Sequence, residues 1–365
     1  LDLSNVLLHF VTTVPKHSSD KTLKTEPQNF FGPKQFSSVE VRVNGEAVTR
    51  RSCANEYFLT SYFQHLCNYS VDYQISALRP IGIFDYTQAS TGMLSGWTED
   101  QVKAWEISRT NVTVSQEYEI VMPIDSTIFY TNDLLPSNTS LDLSFERISS
   151  ASSTMLVKNG TIPNPVNDLK DVYLLAPFKK DEEMFRWERN AISKPLKIRF
   201  DDYVIRRFNV PSGTASVMLS DIISGPLPSK LFWGLQTLAS YTGSYKDSST
   251  RFGRNGLVKA NLYLDGKEVS DFPVTMSQSH VCLPFVKFLE NTNQQQNGFL
   301  SRSLTLREFE MSNFILSSSM DPESSGSISF EFEFDSALSE GLVLVTCAVY
   351  DKTLKLDHHR NFQVI

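Results

Sequence analysis

Few residues of this chain have the type and spacing that chemistry needs. Cys53, His65 and Cys67 come nearest to a metal site, because thiolate and imidazole are the ligands that zinc takes. No Cys-x-x-Cys or His-Glu-x-x-His spacing accompanies them, and the plainer expectation is buried thiols acting as small apolar groups. Asp201 and Asp202 resemble a carboxylate pair, yet neighbours on a strand point to opposite faces and cannot share a proton. Glu331, Glu333 and Asp335 recur at every second position, so a strand would present all three from one face. Calcium or a charged subunit contact could use such a ladder, whereas a solvated outer face is the default. His358-His359 sits among strand residues, one ring in and one out, which suits a structural or surface role. No Gly-x-Ser-x-Gly elbow, phosphate loop or dinucleotide glycine fingerprint is present. The expectation is therefore no catalytic residue, no cofactor and no metal.

The elements that would position these groups are mostly strands. Val39-Glu40-Val41-Arg42-Val43 alternates and runs into Asn44-Gly45, the strongest short hairpin signal, because both turn positions need positive φ. Val112 and Val114, then Tyr118, Ile120 and Met122, keep the period of two, as do Leu141, Leu143 and Phe145. From Ser329 to Asp335, Phe330, Phe332 and Phe334 take one face and the acids the other. The alternation is expected to continue through Leu342-Val343-Leu344-Val345 and Leu354-Lys355-Leu356-Asp357.

Helices are expected to be few and short. Phe58, Leu59, Tyr62, Phe63 and Leu66 recur at spacings of three and four after Asn55, a fair N-cap. Thr98 with Gln101 forms a capping-box pattern ahead of Val102 and Trp105, and a third helix is expected over residues 181–187. These are insertions into a β framework, not a βαβ series.

The chain has 365 residues, too many for one ordinary core. A weak internal repeat suggests how it divides. Val43-Asn44-Gly45-Glu46-Ala47-Val48 is echoed by Leu264-Asp265-Gly266-Lys267-Glu268-Val269, each reading strand, tight turn, strand. Asn44, Gly45, Asp265 and Gly266 are thus expected in equivalent turns of two like units, residues 1–185 and 186–365. Eight or so strands with long excursions suit a jelly roll better than an immunoglobulin sandwich of ~100 residues. Residues 80–106 and 238–256 are expected to be functional loops at a subunit interface or outer face.

Composition narrows the function classes. Hydrophobic residues make up 41% and charged residues 21%, which excludes a disordered chain. The 34 Lys and Arg against 41 Asp and Glu leave a net charge of −7, which argues against a general nucleic-acid binder. No apolar run is long enough for a membrane helix, and the opening residues lack a signal-peptide pattern. The sequence starts at Leu1 rather than Met, which leaves room for residues ahead of it. Four scattered cysteines predict free thiols in a reducing compartment. Four Asn-x-Ser/Thr sequons, at Asn68, Asn111, Asn138 and Asn159, are no more than chance gives.

The order of short motifs resembles the double jelly-roll major capsid proteins of the Maverick/Polinton elements and their adintovirus relatives. In the first half these are the run from Phe36 to Val48, Leu66-Cys67-Asn68-Tyr69, Tyr118-Glu119-Ile120-Val121-Met122-Pro123 and Asn132-Asp133-Leu134-Leu135-Pro136. In the second they are Val210-Pro211-Ser212-Gly213-Thr214, the run from Gly225 to Lys230, Gly243-Ser244-Tyr245-Lys246 and Leu262-Tyr263-Leu264-Asp265-Gly266-Lys267. The run from Tyr350 to Asp357, with Arg360-Asn361, resembles the family's final strands. Residues 247–252 and 148–195 depart from the pattern.

The resemblance implies an all-β chain of two tandem eight-stranded jelly rolls with a few short helices. It implies a structural, non-enzymatic shell subunit that forms homotrimeric, pseudo-hexameric capsomers of an icosahedral double-stranded DNA virus or virus-like transposon. Its partners would be itself and the penton and minor capsid proteins, with no sequence-specific nucleic acid and no membrane insertion. Its location would be the virion, assembled inside the host cell. A jelly-roll receptor- or glycan-binding protein of the spike or lectin kind is the alternative, and a sandwich hydrolase using the 331–335 carboxylates or His358 is a third.

Overall fold

In the computed structural model, which describes residues 1–13, 25–49, 56–69, 117–131, 133–137, 139–149, 154–157, 168–178, 196–244, 248–269, 274–275, 281–292, 304–356 and 362–364, strands dominate both halves. The first half contains β1 (Leu7–Thr13), β2 (Thr25–Pro27), β3 (Phe36–Val43), β4 (Glu46–Ala47), helix α1 (Tyr57–Asn68), β5 (Glu117–Pro123), β6 (Leu141–Arg147), β7 (Met155–Val157) and β8 (Leu169–Leu175). The second contains β9 (Leu196–Val210), β10 (Ser216–Pro226), β11 (Lys230–Thr237), α2 (Leu238–Thr242), β12 (Leu257–Leu264), β13 (Lys267–Glu268) and β14 (Val274–Thr275). It continues with α3 (Cys282–Asn291), α4 (Leu306–Met311), β15 (Ile315–Ser319), β16 (Ser325–Phe334), β17 (Leu342–Leu356) and β18 (Phe362–Val364).

The second half is built from nested antiparallel pairs. β9 pairs with β17, β10 with β16, β11 with β15, and β12 with β13 and β14. These fold into two sheets, β9-β17-β11-β15 and β10-β16-β12-β13, which is the strand order of a jelly roll. Trp233 of β11 reaches across to Phe330 of β16, ring centroids 4.8 Å apart, and forms the centre of the sandwich.

The first half repeats this order. Its sheets β5-β1-β8 and β4-β3-β6 match β15-β11-β17 and β13-β12-β16 in both pairing and chain order. β2 and β7 add a short separate ladder. Among the described residues, strand pairing stays within one half or the other, while the apolar core is continuous between them. The division expected at residues 185 and 186 lies outside the described residues.

Period two holds where one face is wet and fails where both are covered. Leu141, Leu143 and Phe145 alternate with exposed neighbours along β6, as expected. From Leu342 to Val349, however, every residue of β17 is buried. β17 lies between β9 and β11, with the opposite sheet below and helices above, so both of its faces are core. Leu354-Lys355-Leu356 is the far end of this same strand, and Asp357 lies outside the described residues.

Helix α1 forms where the apolar spacing predicts it. Glu56, not Asn55, is its N-cap residue and makes no side-chain cap bond; Asn55 lies outside the described residues. The helices expected after Thr98 and over 181–187, the Val112–Val114 strand and the loop 80–106 also lie outside them. The second expected surface loop, 238–256, departs from expectation. It opens with α2, capped by Thr237, and then Ser248, Ser249, Thr250 and Phe252 are buried. The physical reason is that Phe252 fills the space between the two halves instead of facing solvent.

Candidate functional site

α1 joins the halves. A helix lying on one core needs one apolar stripe, but α1 buries nearly every position from Tyr57 to Cys67. Tyr57 packs on Phe36 of its own half, ring centroids 6.5 Å apart. On the other side Tyr62 stacks on Phe252 at 5.5 Å, and Phe63 lies 5.7 Å from Phe252 and 6.4 Å from Phe232. The Tyr62 hydroxyl donates to Asn313 Oδ1 at 2.5 Å, and Asn68 Nδ2 donates to the Tyr203 hydroxyl at 3.3 Å. Each fully buried aromatic contributes about 1.5–3 kcal/mol, so the seam is held as firmly as a core.

A polar knot lies beside the aromatic seam. Gln28 Oε1 accepts from Lys34 Nζ at 2.9 Å and from the backbone N–H and hydroxyl of Ser249, each at 3.2 Å. Gln28 Nε2 donates to the Ser244 carbonyl, also at 3.2 Å. The Lys34 Nζ sits 5.6 Å from the Phe58 ring centre and the side chain is fully enclosed. Burial holds its pKa well below the ordinary lysine value.

A cleft of about 240 Å³ opens along the seam, lined among others by Glu56, Tyr57, Asp125, Ser126, Asp202 and Arg206. Asp125 Oδ1 accepts from the Tyr130 hydroxyl, and the Asp125 N–H donates to the Tyr57 oxygen at 3.1 Å. Burial, with the Asp125 carboxylate beside them, pushes both phenols up and keeps them protonated. Among the described residues Ser126 Oγ has no hydrogen-bond partner, so none of them acts as a base that activates it as a nucleophile. The cleft is a gap between the sandwiches, and among the described residues that line it there is no nucleophile–base pair.

The structure does not gather the sequence candidates. Asn44 and Gly45 form the β3–β4 turn with φ of 50° and 84°, and Asp265 and Gly266 form the β12–β13 turn with φ of 49° and 75°. His65 Nδ1 donates to the Ser61 carbonyl at 2.7 Å, and burial raises the Cys67 thiol, the opposite of what a metal thiolate requires. Cys53 and the His358-His359 pair lie outside the described residues; Cys67, Cys282 and Cys347 are free thiols. Asp202 turns inward to Lys352 while Asp201 faces outward.

The acidic ladder on β16 is matched by its neighbour strand. Glu331 accepts from the Tyr263 hydroxyl and Asn261 Nδ2, each at 2.8 Å, and these hold its pKa below the usual value. Glu333 pairs with Lys259 at 3.0 Å. Among the described residues no three His, Cys, Asp or Glu side chains could hold a metal, and no helix is long and apolar enough to cross a membrane.

Among the described residues, exposed apolar side chains cluster on two surfaces. On α3, Phe285 and Phe288 face their own sandwich, while Leu283 and Val286 are 61% and 38% exposed, with Leu306 of α4 also exposed. The other place is β8 and the residues just after it, where Val172, Tyr173, Leu174, Leu175 and Phe178 are all exposed. Sequence reasoning missed these surfaces and the Gln28–Lys34 knot. A strand apolar at successive positions, Val172 to Leu175, was the available signal for the second.

No protein-family profile and no curated protein matches the chain. Solved structures do. A chain of the cryo-EM structure of the Sputnik virophage aligns at a TM-score of 0.59 and 10% identity, over 99% of this chain and 82% of that one. The mavirus major capsid protein aligns at 0.55 and 11% identity, over 99% and 83%. The Faustovirus major capsid protein aligns at 0.55 and 9% identity, over 96% and 85%. The fold is a double jelly roll, in agreement with the strand order of the two halves.

Proposed function

We propose that this chain is a major capsid protein, a structural subunit and not an enzyme, of an icosahedral double-stranded DNA virus or virus-like transposon. The observation that carries the reading is the pair of like sandwiches fused through α1 in one polypeptide. Three such chains present six similar lobes, so a threefold object can occupy a sixfold position in a shell. The likeness to the mavirus and Faustovirus major capsid proteins supports it. The motif order favours the Maverick/Polinton lineage, with the two jelly rolls dividing near residue 185. Penton and minor capsid proteins would complete the shell, and the virion is where the chain resides.

The face of Leu283, Val286 and Leu306 supplies the contact between copies, because an apolar helix stripe left in water favours association. Light scattering and negative-stain images of the purified protein test the reading. Six-lobed trimers that Val286→Glu splits into folded monomers are the expected result. A stable monomer that instead binds a glycan array would replace the shell subunit with a receptor-binding protein.

A further inference from the structure

Among the described residues, the two halves do not fill the same number of strand positions. In the second, β9 pairs along the whole outer edge of β17, from Leu342↔Val210 to Leu356↔Leu196, and β10 lines the outer edge of β16. In the first, the matching edges belong to β8, which pairs only with β1, and β6, which pairs only with β3, and among the described residues no strand lies along the outer side of either.

The side chains there are those of an interrupted core. Leu174 lies directly opposite Leu8 and so shares the face on which Leu8 and Phe10 are buried. Leu174 is nonetheless 43% exposed and Val172, on the same face, 54%. On β6 the inward residues Leu141, Leu143 and Phe145 are only half-buried, whereas Phe330, Phe332 and Phe334 of the matching β16 are buried. Among the described residues β8 is thus an apolar edge strand with no strand on its outer side, the arrangement that recruits another strand.

We propose that these two positions are taken by an antiparallel strand pair from the polypeptide immediately ahead of Leu1, apolar on the inward face of each strand. The second half shows the route, since β9 and β10 come directly before β11 and only Leu227, Pro228 and Ser229 separate β10 from β11. β1 is the counterpart of β11, so the incoming pair ends within a few residues of β1. The path of the opening residues agrees. The amino group of Leu1 donates to the Leu135 carbonyl at 3.0 Å, just ahead of β6, and the Asp2 N–H donates to the Pro177 carbonyl at 3.0 Å, just beyond β8. The chain therefore enters the first sandwich between the two open edges. A strand pair donated by a second copy would have to reach the same edges from a distance.

The test compares two proteins by hydrogen–deuterium exchange: the 365-residue chain, and the chain extended through the natural reading frame upstream of Leu1. The extension is expected to encode two strands with alternating apolar residues. It should slow exchange across Leu169–Leu175 and Leu141–Arg147 at least about tenfold and reduce binding of an apolar dye. Three results would overturn the proposal: a frame that stops within a few codons, equal exchange in the two proteins, or protection of the 365-residue chain that grows with its concentration. The last would assign the edges to a second copy.

Discussion

Asn44 and Asp265 make the same two hydrogen bonds in different halves of the chain. The Asn44 N–H donates to the Ser140 carbonyl at 3.0 Å and its Oδ1 accepts from the Ser140 N–H at 2.7 Å. The Asp265 N–H donates to the Ser327 carbonyl at 2.9 Å and its Oδ1 accepts from the Ser327 N–H at 2.8 Å. The hairpin registers also agree, Val43↔Glu46 beside Leu264↔Lys267. A chance likeness of two tight turns would not extend to the bonds made with a third strand.

Because the geometry is shared, the two residues should be interchangeable and neither should be replaceable by alanine. Asn44→Asp and Asp265→Asn keep the acceptor and tolerate positive φ. Asn44→Ala and Asp265→Ala lose both advantages and should each cost about 1–2 kcal/mol, from left-handed strain and an unpaired N–H. Urea midpoints of the four variants check this, and an alanine variant as stable as its exchange partner would refute it.

Lys34 makes a different kind of prediction, one about proton uptake. Its folded pKa lies below that of the unfolded chain, so the unfolded chain binds a proton that the folded protein has released. Between the lowered value and about 10.4, stability should therefore rise with pH. Lys34→Met removes this slope while filling similar space, and Gln28 keeps its bonds to Ser244 and Ser249. Urea midpoints from pH 6 to 9 should climb more steeply for the parent protein than for the variant; parallel curves would count against a suppressed lysine charge.

What could be read from the residues was whatever depends on one sheet and one wet face. Asn44-Gly45, Asp265-Gly266 and the Phe330, Phe332, Phe334 run are local signals, and local geometry places them. Features that depend on the second half were hidden. Gln28 and Lys34 look like surface residues near a proline, yet Gln28 is met by Ser244 and Ser249 of the other sandwich and Lys34 is enclosed between Gln28 and Phe58. Likewise Phe252 sits in a Ser- and Gly-rich run that suggests an outer loop, yet it is the plug of the seam. The β17 run gave no alternation to read, because both of its faces are covered.

Gly234 makes that plug possible. A Cβ on Gly234 would lie 2.6 Å from Phe252 Cδ1 and 3.0 Å from the Phe314 carbonyl oxygen. Gly234→Ala should therefore push Phe252 away from Tyr62 and Phe63 and cost about 1–3 kcal/mol by overpacking. Adding Phe252→Leu should recover part of the loss, which a double-mutant cycle measures. Additive losses would mean that Phe252 is not what Gly234 accommodates.

His9 ties three strands of the first half together, and its protonation is coupled to them. Its Nε2 lies 2.9 Å from Glu119 Oε1 on β5, its Nδ1 lies 3.0 Å from the Asp171 carbonyl on β8, and its ring stacks on Tyr173 at 4.1 Å. The Glu119 carboxylate, outweighing the opposing effect of burial, raises the imidazole pKa above its ordinary value. A raised folded pKa means that the folded chain holds the proton more tightly than the unfolded one. The stabilisation is then fully present below about pH 6.5 and is lost as pH rises through the folded value. Glu119→Gln removes the main cause, so the variant should be less stable than the parent at pH 6 and nearly equal to it at pH 8.5. NMR titration of the His9 ring, with urea midpoints at both pH values, checks the sign. A His9 pKa at or below the free value, or a stability gap that widens at alkaline pH, would mean that His9 holds these strands as a neutral ring.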